Sequence, residues 1–209
     1  MRLTKLGHAC VRIEQDGAVL ALDPGMFTDR GAVDGATAVL VTHAHPDHLD
    51  VENLRATDAP VYSIAEVHDA LREQAPDVAE RVSVVRPGDE LDLGVPVRAV
   101  GELHAVIHPD LDRLHNCGFL VAGEQRVFHP GDALTRPEAP VDVLLVPSSA
   151  PWLRSRDAID LARDVGAPRT LAIHDRIYSE AGHGFLQAQM DQLLGEGQEY
   201  LRRADGEDL

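Results

Sequence analysis

Residues 43–48 read HAHPDH, so three imidazoles and a carboxylate (His43, His45, Asp47 and His48) fall within six positions. Imidazole and carboxylate groups are ligands for Zn²⁺ and related divalent ions. A solvated helix start could show the same letters. Here, however, the preceding TAVLVT run is β-branched and aliphatic, the composition of a buried strand. The end of such a strand is a rigid platform, and a turn leaving it can aim several side chains at one point. Metal binding is the expected chemistry.

One motif does not complete a metal site. Three later apolar runs also end in candidate groups: His104 in VRAVGELHA, His129 and Asp132 in QRVFHPGDAL, and His174 in TLAIHD. A single histidine at a strand end is as often structural as functional. Their repetition in this order is what a site along one edge of a sheet sandwich requires. His108, four residues after His104, and His129, three before Asp132, are read as further catalytic or substrate-contacting groups. Asp47 is placed to orient or deprotonate a water. Asp23, in LALDPG, reads as a turn aspartate before Pro24 or as an outer partner of the site, and His8, in LGHAC, as a partly buried structural histidine or one near the pocket. Cys10 and Cys117 form no CxxC pair and read as small buried hydrophobes.

The elements that must position these groups are short. CVRIE and AVLALD read as strands paired around QDGA; TAVLVTH, PVYSI and RVSVVR as further strands, with PGDE as a turn. DVENLRA reads as a helix capped by Asp50, and AEVHDALREQ as a second helix. VPVRAVG, CGFLVAG, QRVFH, VDVLLVP, TLAIHD and EYLRRAD continue as strands. SRDAIDLARDVG is an amphipathic helix stopped by Gly166, and FLQAQMDQLLGEG is the last helix. The reading is one domain over residues 1–209, with sheets covered by helices.

These motifs resemble the metallo-β-lactamase superfamily of metal-dependent hydrolases. HAHPDH matches its HxHxDH signature, and GELHA, HPGDA and AIHD look like its later ligand motifs. The LGHACVRIE and LALDPG opening looks most like the ascorbate-6-phosphate-lactonase-like subgroup. The resemblance implies an α+β fold, a four-layer αββα sandwich with metals at one edge. It implies His43, His45 and His104 on a first metal, Asp47, His48 and His174 on a second, and Asp132 bridging both. Zinc is the expected metal, with manganese or iron as alternatives. His45 stands where the flavodiiron oxygen-reducing relatives carry Glu, which argues for hydrolysis over redox chemistry. Two divalent ions about 3.5–4 Å apart can share a hydroxide that attacks a carbonyl or phosphorus. The expected substrate is a small ester, lactone or phosphoester. The alternatives are a small-molecule phosphodiesterase and a non-catalytic metal-binding sensor.

Composition narrows the partners. The formal net charge is −16 with 4% aromatics and no Lys/Arg cluster, so nucleic acid is not an expected partner. A hydrophobic fraction of 44% supports a folded core. No apolar run reaches membrane-spanning length and the start does not read as a signal peptide, so a cytoplasmic protein acting on a small molecule is expected. Homo-oligomerisation stays open.

Overall fold

The computed structural model describes residues 1–209. Its central strands are buried on both faces. In β11 (Val143–Pro147), Val143 and Leu145 enter the apolar layer between two sheets, whereas Leu144 and Val146 enter a second layer beneath helices. In β12 (Arg169–Ile173), Leu171 and Ile173 point to the first layer and Ala172 to the second. This two-sided burial is why these stretches are continuously apolar rather than alternating.

The first sheet has the order β1 (Arg2–Lys5), β2 (Val11–Gln15), β3 (Ala18–Leu22), β4 (Ala38–Val41), β5 (Val61–Ser63), β6 (Val82–Val84). The pairs β1/β2 and β2/β3 are antiparallel; the rest are parallel. Helices α1 (Val51–Arg55), α2 (Ala65–Gln74) and α3 (Pro76–Ala79) pack on it through Leu54, Val67, Leu71 and Val78. The second sheet runs β13 (Glu199–Leu201), β12, β11, β10 (Arg126–His129), β9 (Gly118–Ala122), β8 (Pro96–Val100), β7 (Glu90–Asp92). Here β7 to β10 pair antiparallel and β10 to β13 parallel. Helices α4 (Ser155–Val165) and α5 (Glu180–Leu193) cover it through Ile159, Leu161, Leu186 and Met190. The result is the expected α+β sandwich of two sheets between helices.

This topology brings the chemistry together. β1 and β3 are both antiparallel to β2, and β4 is parallel to β3, so all three run in one direction. β8 and β10 are both antiparallel to β9, and β12 runs parallel to β10 through β11. His8, Asp23, the HAHPDH turn, His104, Asp132 and His174 each follow the carboxyl end of one of these six strands.

Several elements differ from the sequence reading, including α3 and a 3-10 turn at Arg30–Val33, neither of which was expected. β1 was not expected; the C-terminal segment completes it, with Lys5 N–H donating to Glu207 O and Leu209 N–H to Leu3 O. β7 begins within the expected PGDE turn, and its exposed Glu90 and Asp92 suit an edge strand. Helix α5 begins at Glu180, capped by the Ser179 side chain, five residues before the expected start. Gly182 and Gly184 lower local helix propensity there and mask that first turn.

Candidate metal centre

The HAHPDH turn is fixed by close backbone approach. Met26 N–H donates to Pro46 O at 2.8 Å, and a Cβ on Gly25 would lie 2.0 Å from Asp47 O, so only glycine fits. Gly131, at φ +61°, allows the HPGD turn to pass Thr42 and Asn116; a Cβ there would come within 2.3 Å of Asn116 Oδ1. Asn116 Oδ1 accepts from Asp132 N–H (3.0 Å), and Asp132 O accepts from Ala105 N–H (2.7 Å). These links lock the loops after β4, β8 and β10 together. Three non-glycine residues near the cluster have positive φ: His8 (34°), Asp23 (48°) and His174 (52°). Such strain gathers at sites that the surroundings over-determine.

His43, His45, His104 and Asp132 form one group whose ligand-type atoms all lie within 4.8 Å of one another; His48, Asp132 and His174 form a second, and His8, Asp47 and His174 a third. Asp132 belongs to the first two. It lies 3.1 Å from His48 Nε2, 3.3 Å from His174 Nε2, 3.4 Å from His104 Nε2 and 3.9 Å from His43 Nε2. Asp47 Oδ2 is 3.1 Å from His174 Nε2 and 3.9 Å from His48 Nε2. The seven residues expected as ligands are therefore neighbours.

The hydrogen bonds behind the cluster show what it suits. His48 Nδ1–H donates to Asp23 Oδ2 (2.7 Å), His104 Nδ1–H to Ala105 O (2.6 Å) and His174 Nδ1–H to Ser149 O (2.6 Å). The Thr42 hydroxyl donates to Asp23 Oδ2 (2.7 Å) and so accepts from His43 Nδ1 (3.0 Å). In its neutral, metal-binding form an imidazole carries one N–H, so each of these four rings would then turn a bare Nε2 inward. Nε2 of His48, His104 and His174 and Oδ1 of Asp132 are buried and lack any hydrogen-bond partner. They are close yet misaligned for bonding to one another, as atoms converging on a shared cation are. An outer partner on Nδ1 is also the usual support of a metal-binding histidine. The donor set therefore fits divalent metal.

In the metal-free protein, charge holds a second proton on two of these rings, which a metal would displace. Burial opposes ionisation of Asp132, but the adjacent charges of His48 and His174 outweigh it and hold the carboxyl well below the usual range. Burial also opposes charge on His174, yet Asp132 pushes its pKa up to about 9. His48 is raised well above the ordinary value, because Asp132 and Asp23 overcome its burial. Burial lowers His43 and His45. It also pushes both cysteine thiols up to about 12, in keeping with inert hydrophobes.

Two residues expected to be catalytic are placed elsewhere. His129 is fully buried; its Nδ1 accepts from Gly131 N–H (3.1 Å) and its Nε2–H donates to Ala9 O (2.9 Å), leaving no free nitrogen. It pins the β1–β2 connection rather than facing a substrate. His108 is exposed, in a turn closed by Leu111 N–H on His108 O, and its Nδ1 accepts from Asp110 N–H. That turn swings it outside all the groups of candidate ligands.

Two further residues lie in the site. Trp152 Nε1–H donates to Asp132 Oδ2 (3.1 Å). His8 is fully buried, with its ring 4.0 Å from that of His174. Its Nδ1 accepts from Arg176 N–H (3.2 Å), so its proton sits on Nε2 and points at Asp47 Oδ2 (3.1 Å). Burial lowers its pKa and keeps it neutral. His8 is thus wired the opposite way to the four inward-facing rings.

A family model described as "Beta-lactamase superfamily domain" matches residues 2–174. Protein Rv0786c of Mycobacterium tuberculosis is 38% identical over 200 residues, 92% of each chain. UPF0173 protein PF0020 of Pyrococcus furiosus is 32% identical over 190 residues, 87% of this chain and 86% of the relative. A UPF0173 metal-dependent hydrolase of Aeropyrum pernix is 30% identical over 152 residues, 63% of this chain and 61% of the relative. Among solved structures, Igni18, a metallo hydrolase from Ignicoccus hospitalis, superposes with TM-score 0.74 at 18% identity, covering 100% of this chain and 97% of that one. The chain belongs to the β-lactamase superfamily, and its two sheets between helix layers are the metallo-β-lactamase fold.

Proposed function

We propose that this protein is a dinuclear metal-dependent hydrolase of a small ester, lactone or phosphoester. The observation that carries the reading is the convergence of three bare, buried Nε2 atoms and an unpartnered Asp132 oxygen, each backed by the rest of the chain. The metal-dependent hydrolases among its relatives support it. His43, His45 and His104 would hold one metal, Asp47, His48 and His174 the other, and Asp132 both; zinc is the first expectation.

When bound, the metals supply a water acidified toward neutral pH and a Lewis acid for the substrate oxygen. Asp132 would supply negative charge to offset the repulsion of two cations, and Trp152 holds one of its oxygens. Asp47 keeps 22% of its side chain exposed and can take the proton of the attacking water. Hydrolysis by zinc- and manganese-loaded protein across lactones, carboxylic esters, a phosphodiester and a thioester, each with a chelator control, tests the reading. Chelator-sensitive turnover of one class supports it; turnover that survives complete metal removal overturns it.

Metal uptake should release protons. His174, near pKa 9 in the metal-free chain, is protonated at pH 7 and must lose that proton to become a ligand. Affinity should therefore rise with pH toward about 9 and fall about tenfold per pH unit below it for each proton displaced. Calorimetry in buffers of different ionisation enthalpy counts the protons; no release at pH 7 would contradict the assignment of His174.

His8 acts as a positioning residue for Asp47. Metal binding consumes the His174 nitrogen, whereas the Arg176 N–H on Nδ1 keeps the His8 proton on Nε2. His8→Phe retains a ring but no donor, and should weaken the second metal about 10–100-fold with little effect on the first. His8→Gln, which can still donate, should recover much of that loss. Equal stepwise metal titrations for wild type and His8→Phe would exclude the role.

A further inference from the structure

The loops around the site expose large apolar side chains. The loop after β3 exposes Met26 (56%) and Phe27 (40%), the latter's ring 5.2 Å from that of His8. The 101–117 loop exposes Val106 (51%) and Ile107 (41%) directly beyond His104. Leu134 (40%) follows Asp132, and Ile177 (48%) follows His174. Of these, Val106, Ile107 and Leu134 share one cavity, and apolar surface collected at one place marks a binding face. A cavity of about 570 Å³ opens between Val106, Ile107, Leu134 and Trp152. Trp152, on its wall, donates to Asp132, so one side chain separates the cavity from the candidate ligands. Its volume suits a small organic ligand.

Charge narrows the ligand. A phosphate needs unpaired guanidinium or ammonium groups, or a helix N-terminus. The N-terminus of α4 reaches this cavity, but the Asp157 carboxylate already accepts from the Arg154 N–H there (3.3 Å), and the nearby arginines are engaged within the protein. Arg113 gives Nε and Nη2 to His104 O (3.0 and 2.7 Å), Arg154 pairs with Asp157 (2.9 Å), and Arg176 pairs with Asp205. The net charge of −16 disfavours a polyanionic substrate further.

We propose that the substrate is an uncharged carboxylic ester or lactone whose alkyl or aryl group lies in this cavity, in preference to a phosphorylated compound. The proposal rests on the hydrolase reading and narrows it. Water adds its oxygen to the acyl carbon, the alkoxy group leaves with a proton, and a carboxylic acid and an alcohol result.

Two series on the zinc-loaded protein test this. In the first, kcat/KM is measured for straight-chain aryl esters from acetyl to octanoyl, for γ-lactones with growing alkyl chains, and for a phosphorylated sugar lactone. Each methylene that enters the cavity should raise kcat/KM about fourfold until the cavity fills. The double variant I107S/L134S should flatten the rise. In the second, binding of alkyl hydroxamates from two to eight carbons is measured by calorimetry, and affinity should climb in the same way. Hydrolysis with no chain-length dependence, or preference for the phosphorylated lactone, overturns the substrate class and leaves the hydrolase reading intact. Chain-dependent hydroxamate binding without hydrolysis of any ester overturns the hydrolase reading and keeps the apolar subsite. Flat series in both assays overturn the proposal. If that is accompanied by concentration-dependent dimerisation, or by sedimentation with phosphatidylcholine vesicles, that is lost in I107S/L134S, the rim belongs to a second copy or a lipid surface.

Discussion

Replacing Asp132 with alanine should lower turnover by about three orders of magnitude or more, comparable to the several kcal/mol that metal polarisation contributes. Asp132 is within 3.9 Å of the inward nitrogens of His43, His48, His104 and His174, and no other carboxylate belongs to both of the groups that hold these four rings. Without it, two cations would face each other with no charge between them, so the stepwise titration should lose its second equivalent. The metal-free fold should also weaken. His48 and His174 are held in their protonated forms largely by this carboxylate. Breaking such a buried pair typically costs about 3–5 kcal/mol. Asp132→Asn separates charge from shape: it should restore part of the packing but neither metal nor activity. Full activity in either variant would sink the assignment.

Loss of Asp23 should have the second largest effect, although it is not itself a candidate ligand. It is fully buried and accepts three hydrogen bonds, from Thr42 N–H, the Thr42 hydroxyl and His48 Nδ1, each 2.7 Å long. Through Thr42 it sets the tautomer of His43, and directly that of His48, so one carboxylate orients a ring in each of the two groups that share Asp132. Asp23→Ala leaves the buried His48 Nδ1–H and the Thr42 N–H without partners. The expected cost is roughly 3–5 kcal/mol, a fall in melting temperature of roughly 6–20 °C for a chain of this size. Metal affinity should drop about 10–100-fold at both positions. Asp23→Asn suits the positive φ and keeps one acceptor for Thr42 N–H, but its amide cannot reproduce both oxygens. It should melt closer to wild type while still binding metal poorly. Thermal unfolding and metal titration on the same samples check both halves. An Asp23→Asn protein with unchanged metal affinity would rule out tautomer control.

Local spacing explains what could be read from the string. HAHPDH packs its groups into one turn, and the apolar run before it announces a strand, so this part of the site and its chemistry were legible before any fold was known. GELHA, HPGDA and AIHD could be recognised through their order behind similar runs. Strand and helix periodicity likewise identified most elements, including the Asp50 cap of α1 and the Gly166 stop of α4, where short-range hydrogen bonds dominate. Elements completed by distant partners were missed, as β1 was, because its pairing with the C-terminal segment spans the chain.

The tertiary structure decided which nitrogen of each ring carries the proton. His129 and His174 look alike in sequence, each ending an apolar strand. His129 spends both nitrogens on Ala9 O and Gly131 N–H, whereas His174 spends one on Ser149 O and turns the other inward. His8 meets Asp47 across 39 positions and Arg176 across 168, and His108 is turned outward by a bend in a long loop. The ligand types and their order are determined by the amino-acid sequence itself. Which residues converge depends on six strands ending at one edge, and which can bind a cation depends on hydrogen bonds made behind the site, because a lone pair is free only when the proton is held elsewhere.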